Sequence, residues 1–261
     1  MPADIFANRR KNIFLFLAFI AALTTGSMVL TQFDPVNGLI SILKAFFWGL
    51  SNFYPDVQSL SHITDILVKL RDTILMSIAS SVAAAVLAMA LALMGSRSTR
   101  IHVFFTYFSR GIGSFFRNVP LVAWAMVLML SFSQSSLTGF LALFFGSLGF
   151  LTRAFMETLD EVGESTVEAL KATGAAYYHI IFQAVLPSSL PQMLSWLLFM
   201  IETNIRDATL VGFLTGTGIG FLFDVYYKSF NYHVASLIVI VTVITVIAME
   251  SISNMVRREI L

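Results

Sequence analysis

Six long apolar stretches dominate this chain, at about Ile13–Leu30, Asp72–Met94, Ser109–Phe132, Leu137–Met156, Ser189–Leu214 and Val234–Val256. A helix rises about 1.5 Å per residue, so roughly 20 apolar residues cross a hydrocarbon core of about 30 Å. Lipid offers no partner to a backbone N–H or C=O, and a helix satisfies all of them within one segment. The pattern therefore predicts an all-α integral membrane protein with six transmembrane helices. Composition agrees: 57% of residues are hydrophobic and 12% are charged, against roughly 25% charged in soluble domains. Mean hydropathy is +0.82. A soluble fold of this size could not hide so much apolar surface. A net charge of +1 offers no bulk attraction to nucleic acid. Without cysteine there is no disulfide, thiolate nucleophile or cysteine-held metal.

Lys and Arg set the orientation, because short cytoplasmic loops carry the excess. Arg9, Arg10 and Lys11 precede the first stretch, Arg97 and Arg100 follow the second, and Arg257 and Arg258 follow the sixth. Six spans place all three clusters in the cytoplasm, with both termini inside, in a multi-pass membrane protein. The first stretch is long for a cleaved signal and lacks a clean small-x-small site, so it reads as a retained anchor. Residues 1–71 then form an N-terminal anchor helix plus an external segment. In that segment Leu39, Ile40, Leu43, Phe46, Phe47 and Leu50 recur at helical spacing, as in an amphipathic helix lying in the outer interface. Residues 72–261 form a five-helix core with a long cytoplasmic loop at about 157–188.

That loop opens with Glu157, Asp160, Glu161, Glu164 and Glu168, and spacings of three and four place most of them along one helical face. Glu168-Ala169-Leu170-Lys171-Ala172-Thr173-Gly174 follows, a short helix that Gly174 can end. A second amphipathic stretch runs from Tyr177 to Val185. Leu186-Pro187 and Pro191 then open the fifth stretch, where proline is tolerated. From spacing alone this is either a solvated connector or a knob that docks a soluble partner.

Glu168, Ala169 and Gly174 with downstream Leu186 and Pro187 resemble the EAA loop of ABC importer permeases, with Leu170 where the third motif residue is usually Ala. Arg117-Asn118-Val119-Pro120 resembles the Arg-x-x-Pro of phosphonate importer permeases. Glu202-Thr203-Asn204-Ile205-Arg206-Asp207-Ala208-Thr209-Leu210-Val211-Gly212 is similar to their Glu-x-Asn-x-Arg-x-Ala-Thr-x-x-Gly, and Gly216–Gly220 to the glycine-rich segment after it, with Thr217 in place of a usual Gly. The similarity covers about 60–261; Gly146–Arg153 is not a close match. It implies the type I ABC importer permease fold and transport of phosphonate or a related phosphorus oxyanion or ester. The implied partners are an ABC ATPase dimer, an extracytoplasmic binding protein, a second copy of the chain and the bilayer. No cofactor is expected in this chain, since ATP and Mg would sit on the ATPase. Glu164, Glu168, Ala169, Lys171, Ala172, Gly174, Leu186 and Pro187 would form the ATPase-coupling loop.

A charge at the bilayer centre costs about 2.5–3.5 kcal/mol on insertion scales, so each one needs a reason. Arg117 falls in the third stretch; Glu202, Arg206 and Asp207 fall in the fifth. Ser195, Glu202, Arg206 and Thr209 share one helical stripe. One reading is an internal Glu202–Arg206 pair that fixes packing, with Arg117 satisfied by carbonyls. The other makes Arg117, Asn118, Glu202, Asn204, Arg206 and Thr209 the path of an anion, which the planar guanidinium suits. Pro120, Gly212, Gly216, Gly218 and Gly220 read as gate or helix-packing positions, the glycines forming either a flexible turn or a close helix approach. No Gly-x-x-x-x-Gly-Lys-Ser/Thr occurs, so the chain lacks a P-loop. The four histidines are scattered, and neither a metal site nor a catalytic residue is expected. Two other classes remain as alternatives: a stand-alone secondary transporter with Glu202 or Asp207 as proton relay, and an intramembrane enzyme using the same two carboxyls.

Overall fold

The computed structural model describes the backbone of residues 3–100 and 102–260, and the side chains of 8–100, 102–163 and 167–259. All regular structure among the described residues is helical. The chain forms two compact units, 1–53 and 54–261. The boundary thus lies before residue 71, which falls inside the helix Ile63–Gly95 of the second unit.

The first unit holds α1 (Ala3–Thr31) and α2 (Pro35–Asn52). From Asn8 to Thr31, α1 is long and apolar enough to cross a membrane, and none of its most apolar window is buried. Phe14, Phe16 and Phe19 stand exposed, as lipid-facing side chains do. The predicted amphipathic helix is α2. Asp34 caps it by accepting from the Val36 and Asn37 amides at 2.9 and 3.2 Å, and Pro35 occupies the first turn, where no amide is needed.

The second unit opens with a 3₁₀ turn at Ser59–His62 and continues with α3 (Ile63–Gly95), α4 (Val103–Asn118), α5 (Leu121–Phe132) and α6 (Ser136–Ala172). After α7 (Tyr177–His179) a π-helical stretch, Ile180–Val185, leads into α8 (Leu186–Thr215), α9 (Gly218–Lys228) and α10 (Tyr232–Ile260). Helix α6 is the central element, packed against α3, α4, α5 and α8. Ala84, Ala88 and Ala92 of α3 are fully buried against Leu151 and Leu159 of α6. Small side chains let two membrane helices approach closely, which gains dispersion where no hydrophobic drive exists.

Among the described residues five helices are long and apolar enough to span a bilayer, and α4 with α5 passes the same test only as a bent pair, a broken span or a re-entrant loop. That pair corrects the straight third span expected over Ser109–Phe132. The two helices meet at 91°. Pro120 lacks an amide hydrogen and forces its predecessor out of the helical region; Val119 accordingly sits at φ −90°, ψ 120°. The elbow rests on α6 at Gly149, where a Cβ would lie 2.4 Å from the Arg117 backbone nitrogen.

A second correction concerns the loop expected at 157–188. Helix α6 runs 37 residues without a break through the acidic stretch to Ala172, so no separate helix precedes Gly174. Asp160 explains part of this order. One carboxylate oxygen accepts from Ser96 Oγ and the Arg97 amide, both at 2.6 Å, and from the Ser98 amide at 3.2 Å. The α3–α4 turn is thereby fastened to the cytoplasmic extension of α6. Helix α9 was not anticipated; it lies inside what reads as a connector.

Candidate functional site

The α8 residues singled out by sequence fall into distinct settings. Glu202 is 8% exposed. Its Oε1 accepts from Arg206 Nη2 at 2.9 Å, one turn along α8, and its Oε2 accepts from Arg257 Nη2 at 3.3 Å on α10. Arg257 also donates to Ser253 Oγ at 2.9 Å. Sequence reasoning treated Arg257 only as a marker of the inner rim. Its partner lies 55 residues away, so no local signal reveals the pairing.

Asn204 is 1% exposed and joins three helices. Its amide Nδ2 donates to Ser81 Oγ at 2.8 Å on α3 and to Ser147 Oγ at 2.6 Å on α6. Its backbone carbonyl accepts from Ser77 Oγ at 3.1 Å. A polar node of this kind is built where a hydroxyl or amide would otherwise be stranded in an apolar core. Asn204→Leu should destabilise the bundle by about 2 kcal/mol, the cost of leaving Ser81 and Ser147 without their donor. Thermal unfolding of the purified chain in detergent checks this, with Thr203→Val on the neighbouring position expected to cost less.

Thr209 borders an apolar groove between α8, α9 and α10 that Phe213, Phe223 and Val239 also line. Arg206 is exposed and Asp207 half-buried. Arg117 ends α4, exposed, and lines a different cavity with Arg97, Arg110, Arg153, Glu157 and Asp160, which does not include Arg206. Asn118 donates to the Ser114 carbonyl at 2.7 Å and finishes the same helix. The six residues grouped by sequence as a path are thus spread over an ion cluster, a buried node, a groove, a cavity and a helix end within the one chain.

The glycine-rich segment is a tight turn. Gly216 caps α8 at φ +69° and Gly218 begins α9 at φ +62°, both in the left-handed region. The Ile219 amide donates to Thr73 Oγ1 at 2.9 Å, tying the turn to α3. A Cβ at Gly212 would lie 2.3 Å from the Thr217 carbonyl oxygen, and one at Gly220 1.8 Å from that of Thr209. The backbones of α8 and α9 approach closely along this segment.

At the cytoplasmic end, Gly174 at φ +81° closes α6. Its amide donates to the Lys171 carbonyl at 3.0 Å and the Ala175 amide to that of Leu170 at 3.2 Å, the paired bonds of a Schellman cap. Leu170 and Ala175 turn into the core beside it. Glu168, Ala169, Lys171, Ala172 and Gly174 are exposed, as is Pro187, while Leu186 is half-buried. The Glu164 side chain lies outside the described residues. Tyr178 and Phe182 pack with ring centroids 4.5 Å apart and remain exposed beside the cap.

Residues 84–258 match the family described as binding-protein-dependent transport system inner membrane component. The chain belongs to this family. It is a permease component and a multi-pass inner-membrane protein. The phosphate-import permease protein PhnE of Mycolicibacterium smegmatis is 31% identical over 144 residues, 55% of this chain and 27% of that protein. This permease therefore spans about a quarter of that relative's length. The phosphite transport system permease protein PtxC of Stutzerimonas stutzeri is 29% identical over 188 residues, covering 72% of this chain and 68% of its own. Among solved structures, the inward-facing MetNI methionine ABC transporter aligns with a TM-score of 0.65 at 21% identity, over 75% of this permease and 96% of that chain. The fold is that of ABC importer permeases.

Proposed function

We propose that this permease forms, as a homodimer, the membrane pathway of an ATP-driven importer that carries phosphonate or a related phosphorus oxyanion or ester into the cytoplasm. Transport relatives named for phosphate and phosphite support the substrate class. The exposed cap at Glu168–Gly174 is the observation that carries the mechanism. It is a rigid, capped end of a helix that continues through the bundle, so displacement at the cap moves the whole of α6. An ATPase pair holding Mg and ATP would seat there and close on nucleotide, and an external binding protein would deliver the solute. Alternation between inward- and outward-facing states then follows from the different affinity of ATP for the two. Two copies supply the two-fold symmetry that an ATPase dimer requires.

The reconstituted complex in proteoliposomes tests the reading. Binding protein loaded with phosphonate, phosphite or phosphate should stimulate ATP hydrolysis several-fold, and silence with all three defeats the substrate class. Gly174→Val tests the cap. A β-branched residue at φ +81° costs about 1–2 kcal/mol and opens the cap. Co-purification of the ATPase should fall about tenfold, the loss expected from 1.4 kcal/mol of binding energy, while the isolated chain stays folded.

A further inference from the structure

Between the α3–α4 turn, α4 and α6 lies a cavity of roughly 620 Å³ whose polar lining is strongly basic. Arg97 comes from the turn, Arg110 and Arg117 from α4, and Arg153, Glu157 and Asp160 from α6. Both acidic groups are already engaged. Glu157 accepts from Arg153 Nε at 2.7 Å. One oxygen of Asp160 holds the turn, and the other lies 3.8 Å from Arg110. Arg97 and Arg117 form no ion pair among the described residues. Four guanidiniums therefore face two carboxylates, and two positive charges are left over.

The geometry selects a ligand chemistry. Arg110 and Arg117 stand two turns apart on one face of α4, about 10 Å along its axis. Ser114 lies between them and also lines the cavity. Phe104, Phe108 and Phe115 project from the roughly opposite face, exposed, so α4 presents apolar side chains outward and guanidiniums to the cavity. Guanidinium forks bind tetrahedral oxyanions in bidentate fashion, and a partly enclosed site strengthens the attraction over that in water. The volume is ample for a phosphate ion or for the head of a larger phosphorus-bearing molecule.

We infer that this cavity is a cytoplasmic-side binding site for a phosphate-class oxyanion, held chiefly by Arg97 and Arg117. Two sources carry that chemistry: a soluble phosphate or phosphonate, and the headgroup of an anionic phospholipid. The site stands on the arginines alone and does not depend on which solute crosses the membrane.

Binding to the purified full chain in uncharged detergent at low ionic strength tests this without ATPase, binding protein or transport. Radiolabelled inorganic phosphate and methylphosphonate are the soluble probes, read by equilibrium dialysis. Dioctanoyl phosphatidylglycerol is the lipid probe and dioctanoyl phosphatidylcholine its zwitterionic control, read by native mass spectrometry. Saturable binding of either soluble probe assigns the soluble source; binding of phosphatidylglycerol alone assigns the lipid. In both cases the double variant Arg97→Gln/Arg117→Gln should bind at least about tenfold more weakly. Glu157→Gln, which releases Arg153, should bind about threefold more tightly. That gain cannot come from misfolding. The inference is overturned if neither class of probe binds below about 10 mM, or if the double variant stays within about twofold of the parent.

Discussion

Gly220→Ala should cost this permease about 3 kcal/mol or more of stability, at the upper end of what overpacking a well-packed core produces. The added Cβ would meet the Thr209 carbonyl oxygen at 1.8 Å and the Phe213 amide nitrogen at 2.8 Å. Both are backbone atoms in the last two turns of α8, and neither can rotate aside as a side chain would. Helix α9 must move away, and Ile219, 1% exposed in the core shared by α3, α9 and α10, moves with it. The Ile219–Thr73 hydrogen bond is lost in the same step. Gly111→Ala is the matched control, because nothing lies within 4 Å of its Cβ position. There, in mid-helix, alanine should be neutral or gain up to about 1 kcal/mol. Thermal denaturation in detergent, followed by loss of the monodisperse peak on gel filtration, separates the two. Equal midpoints would show that α9 does not sit on α8 as described.

The second large effect concerns Glu202. Its two oxygens serve two arginines on different helices, and removing it leaves like charges facing each other in a poorly hydrated place. Breaking a buried pair is costly mainly because of the charge left behind. Here the arginines keep partial access, with side chains 46% and 26% exposed, so the loss is moderated by screening. Glu202→Leu should therefore destabilise by about 2 kcal/mol. Adding Arg257→Leu should return about half of that, because the stranded cation disappears with its partner. Strict additivity of the two substitutions would mean that α8 and α10 are not joined at this point.

Hydropathy made most of the fold legible, because membrane helices announce themselves by length and apolarity. What it averages away is direction. The window over Ser109–Phe132 is apolar throughout, yet Pro120 turns the chain through 91° inside it. The residue that causes the bend was in view as part of a motif, and its backbone consequence was not drawn. A similar limit shifted the loop. Charges at Glu157 and beyond mark where α6 leaves the membrane; a helix can continue in water, and this one does so to Ala172. Gly174 was expected to end a short separate helix and instead closes the long α6. The remaining misses are tertiary. Asp160 was grouped with the acids of the proposed docking loop, and its carboxylate accepts from Ser96, Arg97 and Ser98. Asn204 was grouped with Arg206 by motif, whereas burial separates them.

The unbroken run of α6 has a mechanical consequence. Ser147, held by Asn204, lies nearer one end of the helix than the other. By helix rise, about 37 Å separate it from Ala172 and about 16 Å from Ser136. A stiff rod pivoting at that point is an unequal lever. A tilt of about 5° sweeps its cytoplasmic tip through roughly 3 Å and its outer tip through less than half as much. Were α6 to turn about this point, motion imposed on its longer arm would arrive at the shorter one reduced in stroke and reversed in sense.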